Sequence, residues 1–217
     1  NYYYIITSIF GFLAVIMQSI IAGVGNSAAT ETTNKNYDDF KKFNFIYIWI
    51  VAWCTTCLLC LYQPFMRLWV GKENMFGYGM VVLFALYFFV HKWCDMLYVY
   101  QEACGIWWET KFVPLVAAIV NLIVNIILIK MIGLPGILIS TIVAVAFIYD
   151  TGYAKVLFNT YFKNIQGGLK KYWTRQLFYL LTAVLASAVT GIICSFIKIP
   201  SSLVTIIING VICVVVP

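Results

Sequence analysis

The chain has 217 residues, of which 63% are hydrophobic and 10% are charged, and its formal net charge is +6. A soluble domain is expected to be about 45–50% apolar and about 25% charged, so this composition excludes a water-soluble fold and predicts an integral membrane protein. The positive charges are scattered among the predicted loops and form no basic stripe, which argues against a nucleic-acid partner.

Seven runs have, or nearly have, the roughly 20 apolar residues that a transmembrane helix needs. None shows the alternation of apolar and polar residues over about ten residues that is typical of a membrane β-strand. We therefore expect an all-α membrane protein, a polytopic bundle of about seven transmembrane helices. In chain order the runs are residues 2–25, 43–66, 74–98, 112–129, 131–149, 176–197 and 201–217.

The first and last runs bear on domain organisation. Residues 2–25 are too long for a signal peptide and lack the basic region that precedes one. The chain begins at Asn1, next to one apolar run, and stops at Pro217 inside another. We therefore expect a fragment truncated at both ends, with residues 1–217 forming a single transmembrane lobe.

Short connections join the runs. The segment Gly133-Leu134-Pro135-Gly136 predicts a tight turn between the fourth and fifth helices. The longest polar stretches are residues 26–42 and 150–175, and no stretch is long enough for a separate soluble domain. We expect both polar stretches to be loops between helices.

Orientation is predicted by the excess of Lys and Arg that cytoplasmic loops carry. We expect residues 26–42 and 150–175 to be cytoplasmic and residues 67–73 to lie outside. The predicted cytoplasmic side holds nine basic residues, namely Lys35, Lys41, Lys42, Lys111, Lys155, Lys163, Lys170, Lys171 and Arg175. The other side holds four, namely Arg67, Lys72, Lys130 and Lys198.

Seven cysteines occur, and most lie inside apolar runs, which does not suit the disulfide framework of a small secreted protein. Cys54, Cys57 and Cys60 have the spacing of part of an iron–sulfur ligand run. Residues three apart drift around a continuous helix and cannot converge on one cluster, so we interpret them as small packing residues. His91 is the only histidine, which excludes a multi-histidine metal site. We expect neither a metal nor a cofactor.

Ionisable residues inside the third run are the strongest candidates for a functional site. Lys92 and Asp95 are three residues apart and His91 and Asp95 are four apart, so on a helix Asp95 can reach either. Charges in a membrane are costly and usually face a bundle interior or a water-filled cavity. Lys92 is therefore either a cationic group in a transport cavity or the snorkelling half of a structural ion pair at the cytoplasmic interface.

Three amide side chains in other runs are further candidates for a substrate pathway. Asn121 and Asn125 are four residues apart, so they share one face of the fourth helix. Gln18 lies within the first run. Each has two interpretations, since a buried amide either lines a polar pathway or forms a hydrogen bond between helices.

Several motifs occur in a characteristic order along the chain. Asn1-Tyr2-Tyr3-Tyr4-Ile5 is followed by Gly25-Asn26, and Pro64-Phe65-Met66-Arg67-Leu68-Trp69-Val70-Gly71 follows a long helix. Further along come Ala103-Cys104-Gly105, Lys111, Pro114 and Asn121-Leu122, and then the segment from Ile132 to Thr141. This ordered set resembles the C-terminal half of bacterial Wzx-type polysaccharide flippases, which belong to the multidrug/oligosaccharidyl-lipid/polysaccharide exporter superfamily.

The resemblance implies a fold, a function and a location. The chain would be the C-terminal lobe of a MATE-like flippase fold with 12 to 14 helices, beginning at the eighth. Its substrate would be an undecaprenyl-pyrophosphate-linked oligosaccharide, flipped across the bacterial cytoplasmic membrane for surface polysaccharide synthesis. Its partners would be that lipid, other membrane lipids and other polysaccharide assembly proteins. Lys92 matches a place where similar sequences carry a basic residue.

Two other functions stay open. One is a cation-coupled multidrug exporter of the same superfamily, which an acidic cavity would suit better. The other is a polytopic membrane enzyme of polysaccharide assembly, which would need catalytic residues on a sizeable outer loop. Flipping makes and breaks no bond, and the sequence contains no recognisable catalytic constellation, so we expect a transporter and not an enzyme.

Overall fold

The computed structural model describes residues 2–197 and 201–217, and every regular element in these ranges is helical. Two shorter elements interrupt the α-helices, a 3₁₀ turn at Lys72–Asn74 and a π-helical segment at Val145–Tyr149. The α-helices are α1 (Tyr2–Thr30), α2 (Thr33–Trp69), α3 (Tyr78–Trp93), α4 (Asp95–Ala103), α5 (Trp107–Thr110), α6 (Phe112–Ile132), α7 (Leu134–Ala144), α8 (Asp150–Thr160), α9 (Gly168–Ser195) and α10 (Ser202–Val215).

Within the described residues, six helical stretches are long and apolar enough to cross a membrane. The protein is therefore an all-helical, multi-pass membrane protein. The stretches are α1, α2, α3 with α4, α5 with α6, α7 through α8, and α9. The seventh predicted run, residues 201–217, yields only the 14-residue α10. At about 1.5 Å per residue, α10 is shorter than the roughly 30 Å hydrocarbon core.

The prediction that residues 26–42 form a loop is wrong, because α1 extends to Thr30 and α2 begins at Thr33. Thr32 caps α2, its hydroxyl accepting a hydrogen bond from the backbone N–H of Lys35. Ion pairs between residues three or four apart support this polar segment as helix. Since α2 has 37 residues, it is about 56 Å long and exceeds the bilayer core.

The second polar stretch, residues 150–175, is also mostly helical and not a loop. Only residues 161–167 separate α8 from α9. Aromatic side chains explain the difference, since Phe158, Phe162 and Tyr172 are buried and their rings contact one another. The mean hydropathy of this stretch is polar, but its apolar residues share one face, and that face packs into the core.

Helix α2 is central to the bundle and packs against α3, α9 and α10. Helix α1 packs mainly against α4. Helices α6 and α7 form a close antiparallel hairpin, as the Gly133–Gly136 motif predicts. Gly133 has φ +69°, and a Cβ on Gly136 would come within 2.6 Å of the Leu128 backbone, so the turn and the close approach both require glycine.

Side-chain contacts between residues that are distant along the chain show which helix ends lie together at each end of the bundle. At one end, Asn36 donates a hydrogen bond to Tyr161 and Arg175 donates one to Tyr37. At the other end, Tyr62 donates a hydrogen bond to the backbone oxygen of Tyr2. We call these the basic end and the opposite end. The assignment of the basic end to the cytoplasm stays a prediction.

The third predicted run, residues 74–98, is not a single helix. Helix α3 ends at Trp93, Cys94 forms a turn with φ −90° and ψ 0°, and α4 begins at Asp95. A helix that breaks inside a membrane leaves backbone N–H and C=O groups without their helical hydrogen bonds. Such broken helices are frequent at the binding sites of transporters. The break falls between Lys92 and Asp95, the two charged candidates.

Candidate functional site

The helix break explains why two opposite charges are stable at this position. Lys92 lies in the last turn of α3, where the helix dipole favours a cation. Asp95 is the first residue of α4, where the dipole favours an anion. Each charge is therefore stabilised by its own helix end as well as by the other charge.

Asp95 is held by two donors. Lys92 Nζ lies 2.8 Å from Asp95 Oδ2, and the Tyr47 hydroxyl on α2 donates to the same oxygen at 2.6 Å. The Lys92 ammonium also lies 4.6 Å from the ring centroid of Phe10 on α1. Of the two basic side chains within reach on the helix, Asp95 pairs with Lys92 and not with His91. The group therefore links α1, α2 and the α3–α4 break.

The Lys92–Asp95 pair is mostly buried, with side-chain exposures of 11% and 18%. Charges withdrawn from water are stable only when both are present, because removing one leaves the other uncompensated. Tyr47 lies near the beginning of the predicted run 43–66, so the pair is closer to the basic end than to the opposite end. This depth is compatible with both interpretations of Lys92.

A cavity of about 450 Å³ adjoins the break. Its walls come from α3 and α4, from α5 and α6, and from the π-helical segment with α8. Lys92 is not among its lining residues, since its ammonium turns to Asp95 and Phe10. The polar lining residues include His91, Asp95, Gln101, Thr110 and Lys111.

Two buried polar atoms on the cavity wall have no hydrogen-bond partner. They are Nδ1 of His91 and Oε1 of Gln101. The amide nitrogen of Gln101 donates to Thr110, so only its oxygen is left over. A buried polar atom without a partner is costly, and a small rotation of either side chain towards the cavity would let a water molecule or a ligand satisfy it. The cavity therefore has several polar groups on a mainly apolar wall, and we call it the polar cavity.

Lys111 is the basic residue of the cavity lining. It is exposed, and its ammonium lies 3.2 Å from the ring centroid of Trp108. From the sequence Lys111 was one of the predicted loop charges and not a candidate site residue. A Lys at the mouth of a cavity supplies a point charge for an anion such as a phosphate.

Asp150 is a second buried acidic residue that the sequence analysis missed. It follows the π-helical segment directly and is 4% exposed. The Tyr172 hydroxyl donates to its Oδ1 at 3.2 Å. Within residues 2–197 and 201–217 its carboxylate has no ion-pair partner. In the sequence, Asp150 stands directly after a long apolar run, which could have indicated a buried acidic residue. It was assigned to the predicted loop 150–175 instead.

The three amide candidates are not brought to the charged group. Asn121 and Asn125 lie on α6, and the side-chain oxygen of each is buried without a hydrogen-bond partner. Neither oxygen forms the interhelical hydrogen bond that one interpretation expected. Gln18 is exposed on α1. The suggestion that these residues line a substrate pathway stays a prediction.

An apolar groove of about 530 Å³ lies between α2, α3 and α9, on another part of the bundle. Its lining is dominated by aliphatic and aromatic side chains, among them Leu59, Val82, Leu86, Val184 and Ile192. Such a surface suits a hydrocarbon chain better than a polar molecule. The bundle therefore carries one polar and one apolar recess.

No protein-family model, no curated protein and no solved structure matches this chain.

Proposed function

We propose that this protein is a transporter that flips a lipid-linked oligosaccharide, carried on undecaprenyl pyrophosphate, across the bacterial cytoplasmic membrane. The observation that carries the proposal is the polar cavity beside a broken membrane helix. Moving a charged, hydrated head group through a bilayer is opposed by the hydrocarbon core. A water-filled recess within a helical bundle lowers that barrier.

The cavity residues have chemistry that suits a sugar pyrophosphate. Lys111 offers a positive charge to an anion at the cavity wall. After a small rotation towards the cavity, the unpaired oxygen of Gln101 would accept a hydrogen bond from a sugar hydroxyl, and His91 would offer a further polar atom. The separate apolar groove between α2, α3 and α9 suits the polyprenyl chain. No covalent chemistry is assigned to any of these groups.

A flippase assay tests this proposal. The complete protein, reconstituted in vesicles, is expected to move a fluorescent polyprenyl-pyrophosphate oligosaccharide between leaflets without changing its mass. Lys111→Ala is expected to reduce the initial rate about tenfold, on the scale of one charge-assisted phosphate contact. Lys111→Arg is expected to retain much of the rate, because a point contact with phosphate needs mainly charge.

The matched control is Lys170→Ala. Lys170 is an exposed lysine near the basic end that does not line the cavity. The Lys170→Ala variant is expected to transport the lipid at the wild-type rate. Equal rates for Lys111→Ala and Lys170→Ala would contradict the assignment of the cavity. A change in the mass of the lipid would favour an enzyme of polysaccharide assembly.

Asp150 favours a second candidate, a cation-coupled exporter of the same superfamily. A buried carboxyl group without a basic partner is typical of groups that carry a coupling proton or cation in transporters. In that case a pH or sodium gradient drives uptake of a cationic dye into vesicles, and Asp150→Asn abolishes the dependence on the gradient. Transport of the polyprenyl lipid independent of any gradient would argue against this candidate.

A further inference from the structure

Three cysteines from three different helices converge inside the bundle. None of them lines the polar cavity. Cys60 lies on α2, Cys194 at the end of α9 and Cys213 on α10. Their sulfur atoms all lie within 4.8 Å of one another, and all three residues are buried and free of disulfide bonds. The three residues lie on separate runs of the sequence, so their spacing along the chain does not predict this convergence.

We propose that Cys60, Cys194 and Cys213 form a three-thiolate binding site for a soft metal ion, Cu(I). Thiolates about 2.3 Å from a common metal ion stand about 4 Å apart in trigonal geometry. The three sulfur atoms lie no more than 4.8 Å from one another, so small shifts of side chains would complete the site. Thiolate ligands select soft ions such as Cu(I).

The number of ligands favours Cu(I) over zinc. Structural zinc sites are almost always four-coordinate, whereas this group supplies three sulfur atoms. Cys57, on the preceding turn of α2, packs against the group and its thiol is hydrogen-bonded to that of Cys213, but its sulfur is not one of the three that converge within 4.8 Å. Three converging sulfur atoms without a fourth suit an ion that accepts trigonal coordination.

Hydrogen bonds to two of the three cysteines fix the relative position of α2 and α10. The indole of Trp53 on α2 donates to the backbone oxygen of Cys213 at 2.7 Å. A second hydrogen bond runs from α10 to α2, since the side-chain amide of Asn209 on α10 donates to the backbone oxygen of Cys60 at 3.2 Å. The two bonds set the register of antiparallel helices at the level of the thiols. A ligand set held by its scaffold needs little rearrangement to bind a metal.

A third contact positions α9. The hydroxyl groups of Thr56 on α2 and Ser187 on α9 lie 2.8 Å apart. One turn further along α2 is Cys60, and two turns further along α9 is Cys194. These helices run in the same direction, so the contact places both thiols at a similar depth. All three ligand-bearing helices are therefore held together independently of the thiols.

The thiols lie towards the opposite end of the bundle. Cys60 precedes the end of α2 at Trp69 by nine residues, and Cys194 is the penultimate residue of α9. An ion reaching the site from that end crosses little of the hydrocarbon core. Each thiol that coordinates the ion gives up its proton, which passes to water at that end. The bound ion would tie α2, α9 and α10 together and stabilise the fold.

Copper titration tests the proposal. The complete protein, purified under anaerobic conditions, would be titrated with Cu(I) held by a coloured chelator as competitor. We expect one equivalent of Cu(I) to be withdrawn from the chelator, with a raised unfolding temperature. Cys60→Ser and Cys213→Ser are expected to weaken binding more than about tenfold. Cys54→Ser, a change of a cysteine on α2 outside the group, is expected to leave binding unchanged.

Two further measurements keep the test decisive if a serine variant folds poorly. X-ray absorption of the copper-loaded wild type should show a first shell of sulfur only, and a shell of nitrogen or oxygen would overturn the proposal. Thiol counting of the unloaded protein should find Cys60, Cys194 and Cys213 all free. A disulfide between two of them would assign the group to redox or structural cross-linking. Equal loss of copper binding in Cys54→Ser would show that binding is not specific to these thiols.

Discussion

Two carboxyl groups are buried in this bundle, and their surroundings differ. Asp95 begins α4, pairs with Lys92 at 2.8 Å and accepts a second hydrogen bond from Tyr47 at 2.6 Å. Asp150 begins α8, is 4% exposed and accepts hydrogen bonds from Tyr172, at 3.2 Å, and from Trp93. Both follow an irregularity in a membrane helix, a turn at Cys94 in one case and a π-helical segment in the other.

The comparison shows two different environments for a buried acidic side chain. At Asp95 the negative charge is retained, because a cation and a helix dipole offset the cost of withdrawing it from water. Asp150 also begins a helix, but among the described residues no cation lies within ion-pair distance of its carboxyl group. The first arrangement depends on its partner, and the second is suited to a change in protonation. Substitutions at each site separate the two.

The largest effect is expected from Lys92→Ala. This change leaves Asp95 buried without its cation, and breaking a buried pair costs about 3–5 kcal/mol. We expect the protein's abundance in membranes and its unfolding temperature in detergent to fall clearly. The double change Lys92→Ala with Asp95→Ala should restore both, since no charge is then left unpaired. Lys35→Ala, which breaks the exposed pair with Glu31, serves as the control and should change neither.

The same double variant distinguishes the two interpretations of Lys92. Asp95 lines the polar cavity and Lys92 pairs with it, so we expect transport to stay low when abundance returns. Recovery of transport together with abundance would make the pair purely structural and would contradict a role of Lys92 in binding the substrate. Flux per reconstituted molecule is the quantity to compare.

An intermediate effect is expected from Tyr47→Phe. The change removes a hydrogen bond to a charged acceptor but keeps the ring and the Lys92–Asp95 pair. We expect a loss of about 1–3 kcal/mol in the free energy of unfolding, seen as a lower midpoint of thermal denaturation. A midpoint as low as that of Lys92→Ala would mean that Tyr47, and not the cation, is the main partner of Asp95.

The smallest effect is expected from Asp150→Asn. Asparagine resembles a protonated aspartate in shape and still accepts the hydrogen bond from Tyr172. The free energy of unfolding should change by less than about 1 kcal/mol. A large loss of stability, comparable with that of Lys92→Ala, would show that Asp150 carries a charge with an unrecognised partner. The contrast between the two carboxyl groups would then fail.

Much of the fold was predictable from the sequence because the bilayer imposes strong constraints. A run of about 20 apolar residues must be helical, since each backbone polar group needs a partner where water is excluded. The prediction of an all-helical, multi-pass protein is therefore confirmed, and the Gly133–Gly136 turn is where the motif predicts it. Helix limits in polar segments were not predictable in the same way. Helices that leave the membrane, such as the first turns of α2, are stabilised by ion pairs and caps that an average hydropathy does not register.

The candidate site was predictable only in part. The pairing of Lys92 with Asp95 follows from their spacing of three residues, which a helix or a tight turn brings together. The donor from Tyr47, the cavity and the isolation of Asp150 depend on helices that are distant along the chain. Spacing within a single segment carries no information about such neighbours.

The cysteines show the same division most clearly. Composition and apolar run length alone determined that this chain is a helical membrane protein, because the solvent permits little else. Position within a run determined which charges would need compensation. Tertiary packing alone decided that Cys60 meets Cys194 and Cys213, residues more than a hundred positions away, while Cys54 on the same helix does not. The reason is physical: the face that a helix turns to each neighbour is set by the packing of the whole bundle, and packing is a property of no single segment.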